Sequence, residues 1–261
     1  MQLTDADYHK ATRLIARRDP KMGALMRTIG PCGLPARQRE DHLTALISAI
    51  VSQQLSTKAA ATIFRRFAAL FPNGAITDAA TIELFDDTAL RGVGLSGQKV
   101  KYVRDLCARL SDGRLRLEEL DTLPDEEVIV RLTEVKGFGR WTAEMFLMFR
   151  LMRPDVLPVG DLGIVNAIQR VYKLRKRPDP KRMLALGEAW RPYRTVACWY
   201  LWQSLRLEQA APARKAARAP SAAPVKRAAP RAPKKAVERK PALSRTAAGS
   251  RRRSPSTSRA R

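Results

Sequence analysis

Apolar residues recur every three or four positions along most of the first 208 residues of this chain. Leu43, Leu46, Ile47 and Ile50 form one such series, and Ala59, Ile63 and Phe67 form the next. That spacing lines one face of an α-helix. Between the two series, Ser52-Gln53-Gln54-Leu55-Ser56 is a polar interruption with a serine able to cap the second helix. The same periodicity predicts helices over Thr77–Leu90, Lys99–Leu110, Pro124–Leu132, Trp141–Arg150, Leu162–Tyr172, Lys181–Trp190 and Arg194–Leu207. The opening MQLTDADYHKATRLIARRD reads as an amphipathic helix, because no apolar h-region follows Met1. Alternation with a period of two is absent, so the expected fold class is all-α.

One turn stands out from the rest. Val135-Lys136-Gly137-Phe138-Gly139-Arg140-Trp141 places two glycines around one apolar residue, directly before the apolar series Trp141, Met145, Phe146, Phe149. Paired glycines let the backbone turn sharply and approach another chain closely. The amides of such a turn open a helix, where an anion is favoured. Gly92-Val93-Gly94, followed by Lys99 and Lys101, reads either as a weaker copy of this hairpin or as an ordinary helix–helix turn.

Charge then narrows the choice of anion. The chain carries 49 Lys+Arg against 25 Asp+Glu, a formal +24. Sixteen of the basic residues and a single acid, Glu238, fall between Gln209 and Arg261, in a stretch of Ala, Pro, Lys, Arg and Ser without an aromatic residue. Such a composition cannot bury enough apolar surface to offset the entropy of ordering, so residues 209–261 are expected to be a disordered cationic tail. The remaining +9 belongs to residues 1–208. This balance points to a polyanion, with double-stranded DNA favoured over membrane lipid because no segment is long and apolar enough to span a bilayer. Cys32, Cys107 and Cys198 are too scattered for a disulfide framework or a CxxC site, and with only His9 and His42 there is no zinc set. They read as buried thiols of an intracellular, cytoplasmic or nucleoid-associated protein. No cofactor is expected.

Four segments together resemble the helix-hairpin-helix DNA glycosylases, in particular the DNA-3-methyladenine glycosylase II type. They are ISAIVSQQLSTKAA (47–60), EVKGFGRWTAEMFLMF (134–149), DVLPVGDLGI (155–164) and GEAWRPYRTVACWYLW (187–202). The resemblance covers nearly all of residues 1–208. It implies two helical lobes around a cleft: a central lobe of residues 42–150 with the hairpin, and a second built from 1–41 with 151–208. It also implies the compact form, without the extra β domain of some members, acting as a monomer.

By the same resemblance Asp161 is the catalytic carboxylate. Read locally it is equally a helix N-cap before Leu162-Gly163-Ile164, and the two roles are compatible. The implied reaction is hydrolytic excision of an alkylated purine in base-excision repair. A base that is already cationic leaves without a strong general acid, so one carboxylate suffices. Trp141 stands where strand-cutting relatives carry a lysine, and an indole cannot form a Schiff base, so monofunctional hydrolysis is implied. Trp141, Met145 and Trp202 are the implied substrate-pocket residues, with cation–π attraction favouring a charged base. Met145 departs from the aromatic residue of some relatives, which leaves the lesion range open. Trp190 and Trp199 read as core.

Gln53, Gln54 and Leu55 match the loop that fills the gap left by a flipped nucleotide, with Gln54 and Leu55 both candidate wedges. Gly137, Phe138, Gly139 and Arg140 match the DNA-gripping hairpin, and Lys136, which departs from the proline common there in relatives, is expected to add a phosphate contact. In relatives hairpin carbonyls hold a monovalent cation, here matching Thr133, Val135 and Phe138. The competing reading is a non-catalytic helix-hairpin-helix protein with an architectural role. Deleting residues 209–261 is expected to weaken duplex binding and flatten its salt dependence between about 50 and 200 mM, while base excision persists. A slope unchanged by the deletion would contradict that role for the tail.

Overall fold

A computed structural model describes residues 5–34 and 41–217. Its α-helices are α1 (Asp5–Arg18), α2 (Pro20–Ile29), α3 (His42–Ser52), α4 (Thr57–Ala68), α5 (Ala79–Glu83), α6 (Asp87–Gly92), α7 (Gly97–Ser111), α8 (Asp125–Thr133), α9 (Arg140–Phe149), α10 (Leu162–Val171), α11 (Pro180–Gly187) and α12 (Arg194–Ala217). No strand occurs among the described residues. Nor is any helix among them long and apolar enough to cross a membrane.

Most helices start on a side-chain cap. Asp41, Ser56, Asp78, Asp86, Ser96, Asp161 and Asp179 each accept an amide from the third residue onward. Each cap satisfies one of the amides that a helix N-terminus leaves without a partner. These caps also correct one expectation: Thr77–Leu90 is not a single helix. Asp78 and Asp86 accept from Thr81 N and Ala89 N, both at 2.7 Å, and two caps eight residues apart divide the segment into α5 and α6. Ile82 and Leu90 are both fully buried, so the apolar spacing runs unbroken through a chain that is not.

The last helix runs further than the Leu207 at which its apolar spacing ends. Helix α12 continues nine residues past position 208, to Ala217. The rest of the expected tail, 218–261, lies outside the described residues.

Helices α1, α2, α10 and α12 pack on one another, with Ile15, Met22, Ile164, Ile168, Val196 and Leu201 fully buried among them. Helix α3 packs on α4, α7 and α9, and α8 lies against α9, around Leu46, Ile50, Leu106, Leu132 and Leu147. The segment from Arg150 to Asp161 runs from α9 to α10 and is fastened to the start of α12. Arg194 grips Asp155 through Nε at 2.7 Å and a second guanidinium nitrogen at 3.0 Å. Thr195 Oγ1 donates to the Arg153 carbonyl at 2.6 Å and accepts from Val156 N at 3.1 Å.

Asp19 holds the N-terminal helices in place. Its Oδ1 caps α2 through the amides of Lys21 and Met22, both at 3.1 Å. Its Oδ2 accepts from the fully buried Trp190 Nε1 at 3.0 Å and from the Tyr172 hydroxyl. Asp19→Ala would lose the cap and leave two buried donors unsatisfied, a cost of about 3 kcal/mol. For a domain of this size that corresponds to a fall in Tm of roughly 6–12 °C, readable by thermal denaturation. A loss under 1 °C would contradict this reading.

Candidate active site

Asp161 is the N-cap of α10, and three N–H groups converge on it. Oδ1 accepts the Ile164 amide at 2.7 Å and Trp202 Nε1 at 3.0 Å, while Oδ2 accepts Trp141 Nε1 at 2.7 Å. The carboxylate is 7% exposed, whereas Trp141 is 49% exposed. One wall of the site is therefore a surface indole. The cap and the functional candidate are the same group, and both indoles singled out in the sequence reach it.

Helix α9 supplies an apolar stripe at four-residue spacing. Met145 lies half-buried one turn after Trp141, and Phe149 one turn further, its ring 5.6 Å from that of Trp202 at a tilt of 34°. Phe149 was absent from the expected pocket, although the spacing from Trp141 signalled it. Gly163 was missed as well. A Cβ at this position would meet Asp161 Oδ1 at 2.9 Å and Trp202 Nε1 at 3.1 Å. Only a glycine leaves room for the Trp202–Asp161 bond. Trp190 is fully buried, and Trp199 packs edge-on to Tyr200.

The hairpin joins α8 to α9. Val135 and Phe138 point inward, 1% and 6% exposed, and Phe138 N donates to the Val135 carbonyl at 3.0 Å. Gly137 has φ +85°, and a Cβ there would overlap the Tyr102 ring at 2.4 Å, so glycine is needed for both conformation and space. Gly139 caps α9 without any side-chain hydrogen bond. The amides of the first turn of α9 are thus left open, unlike those of most helices in the fold.

The basic side chains of the hairpin are already paired. Arg140 meets Glu126 at 3.0 and 2.5 Å and Glu144 at 3.1 Å. Burial pushes the Glu144 carboxyl up, against the pull of Arg140. Lys136 Nζ lies 3.3 Å from Asp105, whose other oxygen accepts the Lys136 amide at 2.9 Å. Burial works to raise the Asp105 carboxyl, but the Lys136 amide and Arg109 hold it below the usual range. Of the three carbonyls matched to a cation, that of Val135 accepts the Phe138 amide, leaving it one further lone pair.

In the loop after α3, Gln53 is half-buried and donates from Nε2 to the Gly137 carbonyl at 2.9 Å. Gln54, at φ +56°, and Leu55, 39% exposed, both face outward. Lys99 turns away from solvent to cap α3, its Nζ 2.7 Å from the Val51 carbonyl, and burial lowers its ammonium. Gly94, in the second glycine turn, faces Ile63 of α4. Cys107 and Cys198 are buried but Cys32 is only half-buried, on a coil after α2. Burial pushes the Cys32 thiol up to about 11 and that of Cys107 up to about 12.

An all-helical fold with a glycine hairpin opening α9, set one turn from a buried carboxylate flanked by indoles, defines a helix-hairpin-helix protein with an enzyme-like site. The chain belongs to the HhH-GPD superfamily of base excision DNA repair proteins, whose profile matches residues 47–192. It is similar to DNA-3-methyladenine glycosylase 1 of Schizosaccharomyces pombe, with 38% identity over 171 residues, 65% of this chain and 75% of that protein. The structure is similar to that of a Schizosaccharomyces pombe 3-methyladenine DNA glycosylase in complex with abasic DNA: TM-score 0.69, 35% identity, 76% of this chain and 97% of the other. It is also similar to a DNA-3-methyladenine glycosidase from Bacillus halodurans: TM-score 0.67, 38% identity, 74% and 88% coverage.

Gly163→Ala is expected to push Trp202 off Asp161. The Trp202 indole N–H resonance should shift toward its free value while that of Trp141 stays, and stability should fall by about 1–2 kcal/mol. An unshifted Trp202 resonance would show that the helix accommodates the methyl group without loss of the bond.

Proposed function

We propose that this protein is a monofunctional DNA glycosylase that flips alkylated purines of the 3-methyladenine type out of duplex DNA and hydrolyses their N-glycosidic bond. The observation that carries the reading is the geometry at Asp161, a carboxylate fixed by three N–H donors and reached past a surface tryptophan. As the C1′–N bond breaks, its electron pair leaves with the base, and positive charge spreads over C1′ and the ring oxygen. Asp161 faces that charge in a site where water is scarce, so its field is weakly screened. Water then adds to C1′ and gives up its proton to the carboxylate, yielding free base and an abasic site. A purine alkylated on the ring carries positive charge and departs neutral, so the leaving group needs no added proton.

Trp141, Met145, Phe149 and Trp202 form the aromatic and polarisable wall against which a cationic base stacks. The hairpin, through Gly137, Phe138 and Gly139 and the open amides of α9, grips the phosphate backbone without reading sequence. A monovalent cation on the carbonyls of Thr133, Val135 and Phe138 would bridge the hairpin to a phosphate. With no amine at position 141, the reaction stops at the abasic site and leaves the strand uncut. The protein acts as a monomer on chromosomal DNA.

The test is base release from methylated duplex DNA. Asp161→Asn presents an amide N–H to one of the indole donors and removes the charge, so release should fall about 100- to 1,000-fold while duplex affinity stays within about threefold. Release that survives the substitution would overturn the role of Asp161. Binding without release by the intact protein, on methylated, ethenoadenine and hypoxanthine duplexes alike, would support the architectural reading instead.

A further inference from the structure

The loop after α3 is held at three points around two outward side chains. At its start, the Lys99 ammonium caps the Val51 carbonyl at 2.7 Å. At its end, Ser56 caps α4 by accepting the Ala59 amide at 3.3 Å. In the middle, Gln53 Nε2 donates to the Gly137 carbonyl at 2.9 Å, a contact spanning 84 residues. Only Gln54 and Leu55 lie between the second and third anchors. Gln54 is exposed and has φ +56°, a left-handed conformation that a non-glycine residue holds only where its surroundings impose it. Leu55 is one of the few large apolar side chains on the surface.

The other end of the Gln53 contact is equally constrained. Gly137 has its own left-handed φ of +85° and no room for a Cβ above the Tyr102 ring. Tyr102 and Lys99 lie on the same helix, α7, three residues apart. Helix α7 therefore supports the loop from one side through Lys99 and the hairpin from the other through Tyr102. Gln53 closes the triangle. The hairpin and the loop are thus joined directly by the Gln53 hydrogen bond and indirectly through α7.

We infer that Gln53 is a positioning residue that ties the wedge loop to the hairpin, so that seating a phosphate at Gly137–Gly139 sets the depth to which Gln54 and Leu55 enter the base stack. The side chain itself touches neither the lesion nor Asp161. This inference rests on the glycosylase reading of the site but has a readout of its own. Without the tie, the hairpin still holds the backbone while the wedge rides at the wrong height, so binding and unstacking separate.

The experiment uses the full chain with Gln53→Met, which keeps the side-chain length and removes the donor, beside Gln53→Ala. The probe is a duplex bearing a tetrahydrofuran abasic analogue with 2-aminopurine as its neighbour, whose fluorescence rises as a wedge disturbs the stack. Affinity for an undamaged duplex should stay within about twofold of the parent, Tm should be unchanged, and the fluorescence rise and base release from methylated duplex should fall about tenfold or more. A fluorescence rise equal to that of the parent overturns the inference. So does a parallel loss of affinity, Tm and fluorescence, which would make Gln53 merely a support for the local fold. If the intact protein releases no base yet the split between affinity and unstacking holds, the glycosylase reading fails and the tie stands.

Discussion

Two indole N–H bonds to Asp161 govern the geometry of the whole site. They join Trp141 on α9, Asp161 at the head of α10 and Trp202 on α12. Helix α9 belongs with α3 and α8, whereas α10 and α12 pack with α1 and α2, so the carboxylate fastens together helices from two packing groups. Trp141 is also only two residues from Gly139, the last glycine of the hairpin. The distance from the backbone grip to the carboxylate is thus set by the first turn of one helix and one hydrogen bond. Fixing two groups rigidly in this way removes the ordering cost of bringing them together.

The same device occurs twice in the fold, and the contrast explains why one copy is the candidate site. Asp19, like Asp161, caps a helix with one oxygen and accepts from a tryptophan with the other. Around Asp19 both side-chain donors are sealed in, with Trp190 fully buried and Tyr172 nearly so. That carboxylate contributes only cohesion. Around Asp161 one donor, Trp141, stands half in solvent. Its indole can be met by an incoming ring, and the charge behind it is shielded from water but not closed off. The two caps differ in the exposure of one donor, and that is what leaves Asp161, unlike Asp19, within reach from the surface.

What was legible in the sequence was what depends on neighbours in the chain. Helix order, the glycine hairpin and the cap at Asp161 all follow from spacing over a few residues. The break at Asp86 was hidden because Ile82 and Leu90 keep helical spacing across it. The tie from Gln53 to Gly137 and the space that Gly163 leaves for Trp202 depend on residues 84 and 39 positions away, which no local pattern reports. The resemblance to a known family singled out Gln53 and Trp202, yet it could not give their hydrogen-bond partners. Phe149 is the exception, since its spacing from Trp141 was on view.

The charge of the chain and the charge of the hairpin have different tasks. A net +24 draws DNA from a distance, and salt screens that attraction. At the hairpin itself the cations are spoken for: Lys136 by Asp105, and Arg140 by Glu126 and Glu144. Their role there is to hold the turn on α7 and α8, since Asp105 lies on α7 and Glu126 on α8. The amides at the start of α9 carry no side-chain cap, because Gly139 has none to offer. Most other helices in the fold fill that position with Asp or Ser. The α9 amides are fixed dipoles at a helix N-terminus, where an anion is favoured.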